Sequence, residues 1–126
     1  MTGRIQDKIC VITGAAGGLG YAMAEALGRE GGKLILTDIN KSQGTKAAAT
    51  LADAGLSAHF IYHDATQPEE WERVIDEALM LHGRIDVLVN NAGGGLDTDI
   101  ESMDFAHYKR MIALNLDTAF LGNKYG

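Results

Sequence analysis

Apolar residues gather in four short runs along the chain: Ile9-Cys10-Val11-Ile12, Leu34-Ile35-Leu36, Ala58-His59-Phe60-Ile61-Tyr62 and Asp86-Val87-Leu88-Val89. Near-continuous runs of this length predict strands covered on both faces. The stretches between them carry helical spacing. In the first, Leu19, Ala22, Met23, Ala26 and Leu27 recur on one predicted face before Gly31-Gly32 stops the helix. The second, from Asn40 or Lys41 to Ala54, is rich in Ala and Lys, closes at Gly55 and reads as a surface helix. In the third, Thr66 and Glu69 have capping-box spacing and Pro68 fits the first turn; Trp71, Val74, Ile75, Ala78 and Leu79 form a face that ends at Gly83.

After the fourth strand the pattern becomes an acidic loop from about Leu96 to Ser102, and a last helix starts near Met103 or Asp104. Tyr108, Met111, Ile112, Leu114, Leu116, Ala119, Phe120 and Leu121 leave that helix almost no polar side, so it is expected to be buried against the sheet and a second surface. Strands alternating with helices through short connections predict a parallel sheet with right-handed crossovers. The fold class is α/β, a doubly wound parallel sheet of four strands in a single domain, residues 1–126.

In such a sheet ligands bind beyond the carboxyl ends of the strands, and each polar cluster falls at one of them. Thr13-Gly14-Ala15-Ala16-Gly17-Gly18-Leu19-Gly20 joins the first strand to its helix and can present backbone N–H groups and a helix N-terminus to a phosphate. Gly14 suits the tight turn, Gly18 the approach of a pyrophosphate and Gly20 close helix packing; no Gly-Lys-Ser/Thr follows, which excludes a P-loop. Asp38 can accept hydrogen bonds from both ribose hydroxyls of an adenosine, or simply cap the following helix. A 2′-phosphate there would meet like charge with no Arg or Lys in the turn, so NAD is expected over NADP. Asp64 can take an adenine amino group, while Thr66 beside it has a sufficient role as a cap. Asn90-Asn91-Ala92-Gly93 is a turn by composition and, by position, a cofactor-facing loop. On spacing alone Asn115 is a core amide that must find partners.

Composition narrows the functional classes. The chain has 126 residues, 46% hydrophobic and 22% charged, so it can form a real core. A net charge of -6 without clustered Lys and Arg argues against nucleic acid. No apolar run is long enough to cross a bilayer and the N-terminus lacks a hydrophobic signal segment, so no membrane partner is expected and the cytoplasm is the default location. The single Cys10 excludes an internal disulfide and sits where a small buried thiol is expected. The histidines do not share ligand spacing, so no metal is expected; Glu69/Glu70 and Asp97/Asp99 read as solvated charge.

Together these motifs resemble the short-chain dehydrogenase/reductase family over the whole chain. The family's Thr-Gly-x3-Gly-x-Gly turn matches Thr13, Gly14, Gly18 and Gly20; the turn of epimerase-like relatives fits equally through Gly14, Gly17 and Gly20. Asn90-Asn91-Ala92-Gly93 resembles the signature of the compact dehydrogenase branch, and Leu114-Asn115-Leu116 its buried Asn segment, which selects the first register. The resemblance implies a Rossmann-type NAD-binding domain in which Thr13, Gly14, Gly18, Leu19, Gly20, Asp38, Asp64, Asn91, Ala92 and Gly93 hold the cofactor. It also implies that Asn115 takes part in catalysis by helping to hold a water in the proton relay. Residues 115–122 further resemble hydroxysteroid and cyclic-alcohol dehydrogenases, a hint of a small carbonyl or secondary-alcohol substrate.

One departure stands out. Family members carry a Ser on a fifth strand and a Tyr-x3-Lys on the next helix, whereas neither Tyr21, Tyr62 nor Tyr108 has Lys four positions later, and Tyr125 adjoins the end. The expectation is therefore the N-terminal part of a longer NAD-dependent oxidoreductase, cut before the fifth strand and homo-oligomeric in its complete form. The alternative is a catalytically silent dinucleotide-binding module or partner subunit.

Overall fold

A computed structural model describes residues 3–93 and 103–126. Four strands, β1 (Ile9–Thr13), β2 (Lys33–Asp38), β3 (Ala58–Tyr62) and β4 (Val87–Val89), form one parallel sheet in the order β3-β2-β1-β4. The helices are α1 (Gly18–Arg29), α2 (Lys41–Asp53), α3 (Pro68–His82), α4 (Phe105–Ile112) and α5 (Thr118–Tyr125), with a π-helical segment, Ala113–Asp117, between the last two.

Alternation along the strands explains the uninterrupted apolar runs. Cys10, Ile12, Leu34 and Leu36 pack with Ala24 of α1 and with Ala47, Ala48 and Leu51 of α2. Ile9, Val11, Ile35 and Ile61 pack on the other face with Val74 and Ala78 of α3. With both faces of β1 and β2 covered, apolar residues stand at both parities, and the buried polar residues Thr13 and Thr37 come only at the carboxyl ends. The Cys10 thiol is fully buried and its pKa is raised, first by burial and then by the Asp86 charge.

Three local expectations are corrected. The face of α1 that meets the sheet is Gly20, Ala24 and Gly28, while Leu19 is 76% exposed. The helix lies so close that a Cβ on Gly28 would stand 2.9 Å from Leu56 and 3.0 Å from Leu34, so small residues make the closest approach while Tyr21 and Leu27 pack at its flanks. Thr66 does not cap α3. The N-cap is Gln67, which makes no side-chain cap bond, and the Thr66 hydroxyl donates to Asp64 Oδ1 at 2.6 Å instead. Helix initiation falls to Pro68, whose missing N–H costs nothing there, and to Glu69 and Glu70 in the first turn; Gly83 ends it with φ 77°. Glu70 is not simply solvated charge, since Arg73 binds it at 2.9 Å and holds its carboxyl below the usual range.

The final apolar segment also departs from expectation. It starts where expected, with Asp104 Oδ1 accepting from the His107 N–H at 2.8 Å, but it is interrupted by the π-helical turn. Only Thr118, Leu121 and Gly122 of α5 are buried, Leu121 packing with Trp71 and Ala65. Leu116 is 61% and Phe120 62% exposed, because the helix meets the rest of the described chain along one side only. The acidic stretch 96–102, with Asp97 and Asp99, lies outside the described residues.

Candidate functional site

The carboxyl ends of the four strands are joined by side chains that tie one turn to the next. Thr13, the last residue of β1, is 1% exposed. Its hydroxyl accepts from the N–H groups of Asn91 (3.0 Å) and Ala92 (2.9 Å) and donates to Val89 O (3.3 Å), so its one donor and two acceptor sites are all used. Asn91 in turn donates from Nδ2 to Gly14 O at 3.2 Å. The loop after β4 is thereby fixed against the turn after β1.

Two glycines in that first turn need their freedom. Gly14 (φ 65°) and Gly18 (φ 59°) lie in the left-handed region, and the space around Gly18 is open. Gly20 is required by packing, since a Cβ there would stand 2.3 Å from Gly14 O. Gly17 has extended backbone that any residue adopts, so the local geometry follows the Gly14, Gly18, Gly20 register. As N-cap of α1, Gly17 has no side chain to cover the N–H groups of the first turn.

Asp38 closes β2. Its Oδ2 accepts from the Ala16 N–H at 3.0 Å and its Oδ1 from the Asn40 N–H at 2.9 Å, while Ala15 N–H donates to Thr37 O at 3.1 Å. The cap of α2 is Asn40, whose Oδ1 accepts from Gln43 N–H at 3.0 Å, so capping is not the task of Asp38. After β3, Asp64 Oδ1 accepts from both the N–H (3.1 Å) and the hydroxyl (2.6 Å) of Thr66, and Trp71 Nε1 donates to Ala65 O at 2.9 Å.

These ends surround a cavity of about 120 Å³. Of the expected site residues, Thr13, Gly14, Asp38, Asp64, Ala92 and Gly93 line it. Gly18, Leu19, Gly20 and Asn91 do not: the exposed Gly18 and Leu19 stand at the mouth of α1, and Gly20 and Asn91 brace the turn from behind. Asn115 is also outside the lining. It sits in the π-helical segment, exposed, with Nδ2 donating to Met111 O at 2.9 Å and Oδ1 2.8 Å from where a Gly93 Cβ would be.

The wall also contains residues that the sequence reading did not assign to the site, among them Thr37, Ile39, His63, Leu114 and Thr118. The Thr118 hydroxyl, 2.8 Å from Leu114 O and 3.3 Å from Ala92 O, brings the π-helical segment against the loop after β4. His63 is 2% exposed, with Nδ1 3.0 Å from Thr37 Oγ1 and its ring edge-on to Trp71 at 4.4 Å. Burial pushes its pKa down to about 4; the charges of Glu70 and Asp64 oppose this and Arg73 adds to it. A signal was present, because Thr37 and His63 each directly precede a strand-end aspartate. Among the described residues no group of three His, Cys, Asp or Glu could hold a metal ion, and no helix is long and apolar enough to cross a membrane.

Comparison with known proteins extends this picture. The sequence profile of the short chain dehydrogenase family matches residues 8–125. The 7alpha-hydroxysteroid dehydrogenase of Bacteroides fragilis is 36% identical over 116 residues, covering 90% of this chain and 45% of that protein. The cyclopentanol dehydrogenase of Comamonas testosteroni is 34% identical over 122 residues, 97% of this chain and 49% of that protein. A crystal structure of a short chain dehydrogenase from Mycobacterium smegmatis superposes with a TM-score of 0.93 at 28% identity, covering 99% of this chain and 54% of that one. The chain spans about half the length of the curated relatives it matches.

Proposed function

The chain belongs to the short chain dehydrogenase family, and from that premise we propose that its residues form the dinucleotide-holding part of an NAD-dependent oxidoreductase acting on a carbonyl or secondary alcohol. The observation that carries the reading is the pair Asp38 and Asp64, two carboxylates at neighbouring strand ends that line one cavity beside the open glycine turn. In this reading the uncapped N-terminus of α1, the open space at Gly18 and the exposed Leu19 receive the pyrophosphate side. Asp38 accepts from the two ribose hydroxyls and repels a 2′-phosphate; Asp64 accepts from an adenine amino group. Thr13 and Asn91 hold the loop bearing Ala92 and Gly93 at the rim.

A bound nicotinamide would supply hydride acceptance or donation, and the fit of the turn to a dinucleotide rests on the open space at Gly18, where a Cβ would meet no atom within 4 Å. Asn115, beside Gly93, assists proton movement through an ordered water rather than acting as the acid itself. The hydroxysteroid and cyclopentanol relatives support the substrate class, and a cytoplasmic, homo-oligomeric complete form belongs to the same proposal. The competing reading is a silent dinucleotide-binding module.

Calorimetric titration of the protein with NAD and NADP tests the proposal. Saturable binding with NAD tighter than NADP is expected, with the preference weakened in Asp38→Asn; tighter NADP binding by the unaltered protein contradicts the role given to Asp38. Turnover of cyclic secondary alcohols alongside binding separates the enzyme from the silent module.

A further inference from the structure

Beneath the two aspartates lies a buried contact that packing alone does not require. The β2–β3 register ends at Asp38 opposite Tyr62, and past it the main chains are linked by one bond, His63 N–H to Asp38 O at 3.0 Å. There the side chains take over, with His63 Nδ1 3.0 Å from Thr37 Oγ1. Thr37 and His63 immediately precede Asp38 and Asp64. All four line the one cavity, so a tie between the first pair sits beside the second.

The imidazole is a costly way to fill this space. Its Nε2 is buried and has no hydrogen-bond partner among the described residues, whichever tautomer Thr37 selects. A phenyl ring would keep an edge contact with Trp71 without burying an unpaired nitrogen. What the imidazole adds is the bond to Thr37, and Thr37 O also accepts from Ala15 N–H of the glycine turn at 3.1 Å. On the opposite side Trp71 touches the His63 ring and holds Ala65 O, so the turn bearing Asp64 is gripped from both sides.

We propose that His63 is a positioning residue of the dinucleotide site: through Thr37 it holds the ends of β2 and β3 so that Asp38 and Asp64 face one cavity. This rests on the dinucleotide reading and adds to it a residue of the cavity wall whose role is its bond to Thr37. Replacing the bond with an apolar contact lets the two strand ends part, and the cost falls on the adenosine half of the ligand.

The test is calorimetric titration of the purified protein with NAD and with AMP, comparing His63→Phe, His63→Asn, Thr37→Val and the Phe/Val double variant. Loss of one such bond corresponds to a weakening of about tenfold. His63→Phe and Thr37→Val should each lose about that factor for both ligands, and the double variant should lose no more than either, since both remove one contact. His63→Asn, whose amide can reach the position of Nδ1, should recover most of the affinity. A residue with a purely structural role would lower the unfolding midpoint and leave the dissociation constants of the folded protein unchanged. Should His63→Phe not fold, Thr37→Val, one hydroxyl exchanged for a methyl, decides alone. NAD binding by the unaltered protein with no weakening in the folded variants overturns the positioning role. Absence of saturable NAD and AMP binding by the unaltered protein overturns the dinucleotide reading on which it stands.

Discussion

Lowering the pH from 7 to 5 should destabilise this protein through His63 in a way that a phenylalanine at the same position abolishes. His63 is 2% exposed and its pKa is lowered from 6.5 to about 4, with burial the leading cause. In the unfolded chain it takes up a proton near pH 6.5, and in the folded chain only near 4. Between those values the unfolded state binds more protons, so stability falls as the pH drops. Above pH 6.5 the ring is neutral in both states and contributes no slope. At about 1.36 kcal/mol per pH unit the loss by pH 5 is about 2 kcal/mol, out of the roughly 5–15 kcal/mol typical of a domain, and the full effect of about 3 kcal/mol is reached only below pH 4. Urea unfolding at a series of pH values, followed by the emission of the single tryptophan, Trp71, reads the effect beside the residue itself. His82, whose pKa is also lowered chiefly by burial, adds slope of the same sign in the same window, whereas the depressed carboxyls of Glu70 and Asp86 lose their contribution at lower pH. Subtracting the His63→Phe profile removes the contributions of His82 and Asp86 and leaves that of His63 together with its coupling to Glu70. A pH-independent gap between the two profiles from pH 7 to 5 would refute the assignment.

Thr13→Val leaves the N–H groups of Asn91 and Ala92 without their acceptor and should cost about 2–4 kcal/mol in urea unfolding, while Thr13→Ser stays near the parent. Gly20→Ala puts a Cβ 2.3 Å from Gly14 O, a backbone atom, and should cost about 1–3 kcal/mol while weakening NAD binding through the displaced turn. Gly44→Ala puts a Cβ 2.0 Å from the Phe60 ring and should cost a similar amount, about 1–3 kcal/mol, despite the better helix propensity of Ala. Combining it with Phe60→Leu should recover most of that loss in a double-mutant cycle.

β1 and β2 were legible in the sequence because strands covered on both faces carry apolar residues at both parities, and β3, though His59 and Tyr62 are exposed, runs from Ala58 to Tyr62 as expected. Helix ends were legible where a side chain or backbone requirement acts locally, as with Asn40 at α2, Asp104 at α4 and Gly83 after α3. What failed depended on distance across the fold. The stripe assigned to α1 followed hydrophobicity, but the approach of the sheet selected Gly20, Ala24 and Gly28. Thr66 had the spacing of a cap, yet Asp64 two residues earlier takes its hydroxyl. His63 was placed at a strand end and weighed as a metal ligand but given no role, and its partner Thr37 is 26 residues away. The π-helical turn at Asn115 has no local signature in an apolar run, because its pattern of residues also satisfies an uninterrupted α-helix.

Asp38 shows why the readable and unreadable parts belong to one device. Its position at a strand end was evident from the sequence; its two bonds to Ala16 and Asn40 N–H were not. Those bonds fix the carboxylate before any ligand arrives, and a carboxylate offers about four lone-pair sites, so roughly two remain for further donors. Two ribose hydroxyls match that capacity, and no side-chain reorganisation is then charged against binding. A 2′-phosphate would have to displace the bonds or meet the fixed negative charge. Lys46, which lines the neighbouring groove with Ala16, Gly17 and Gln43, stands on α2 and leaves Asp38 without an ion pair of its own among the described residues. On the proposed NAD reading, the preference would depend less on the presence of an acid than on the backbone donors that prevent it from turning away.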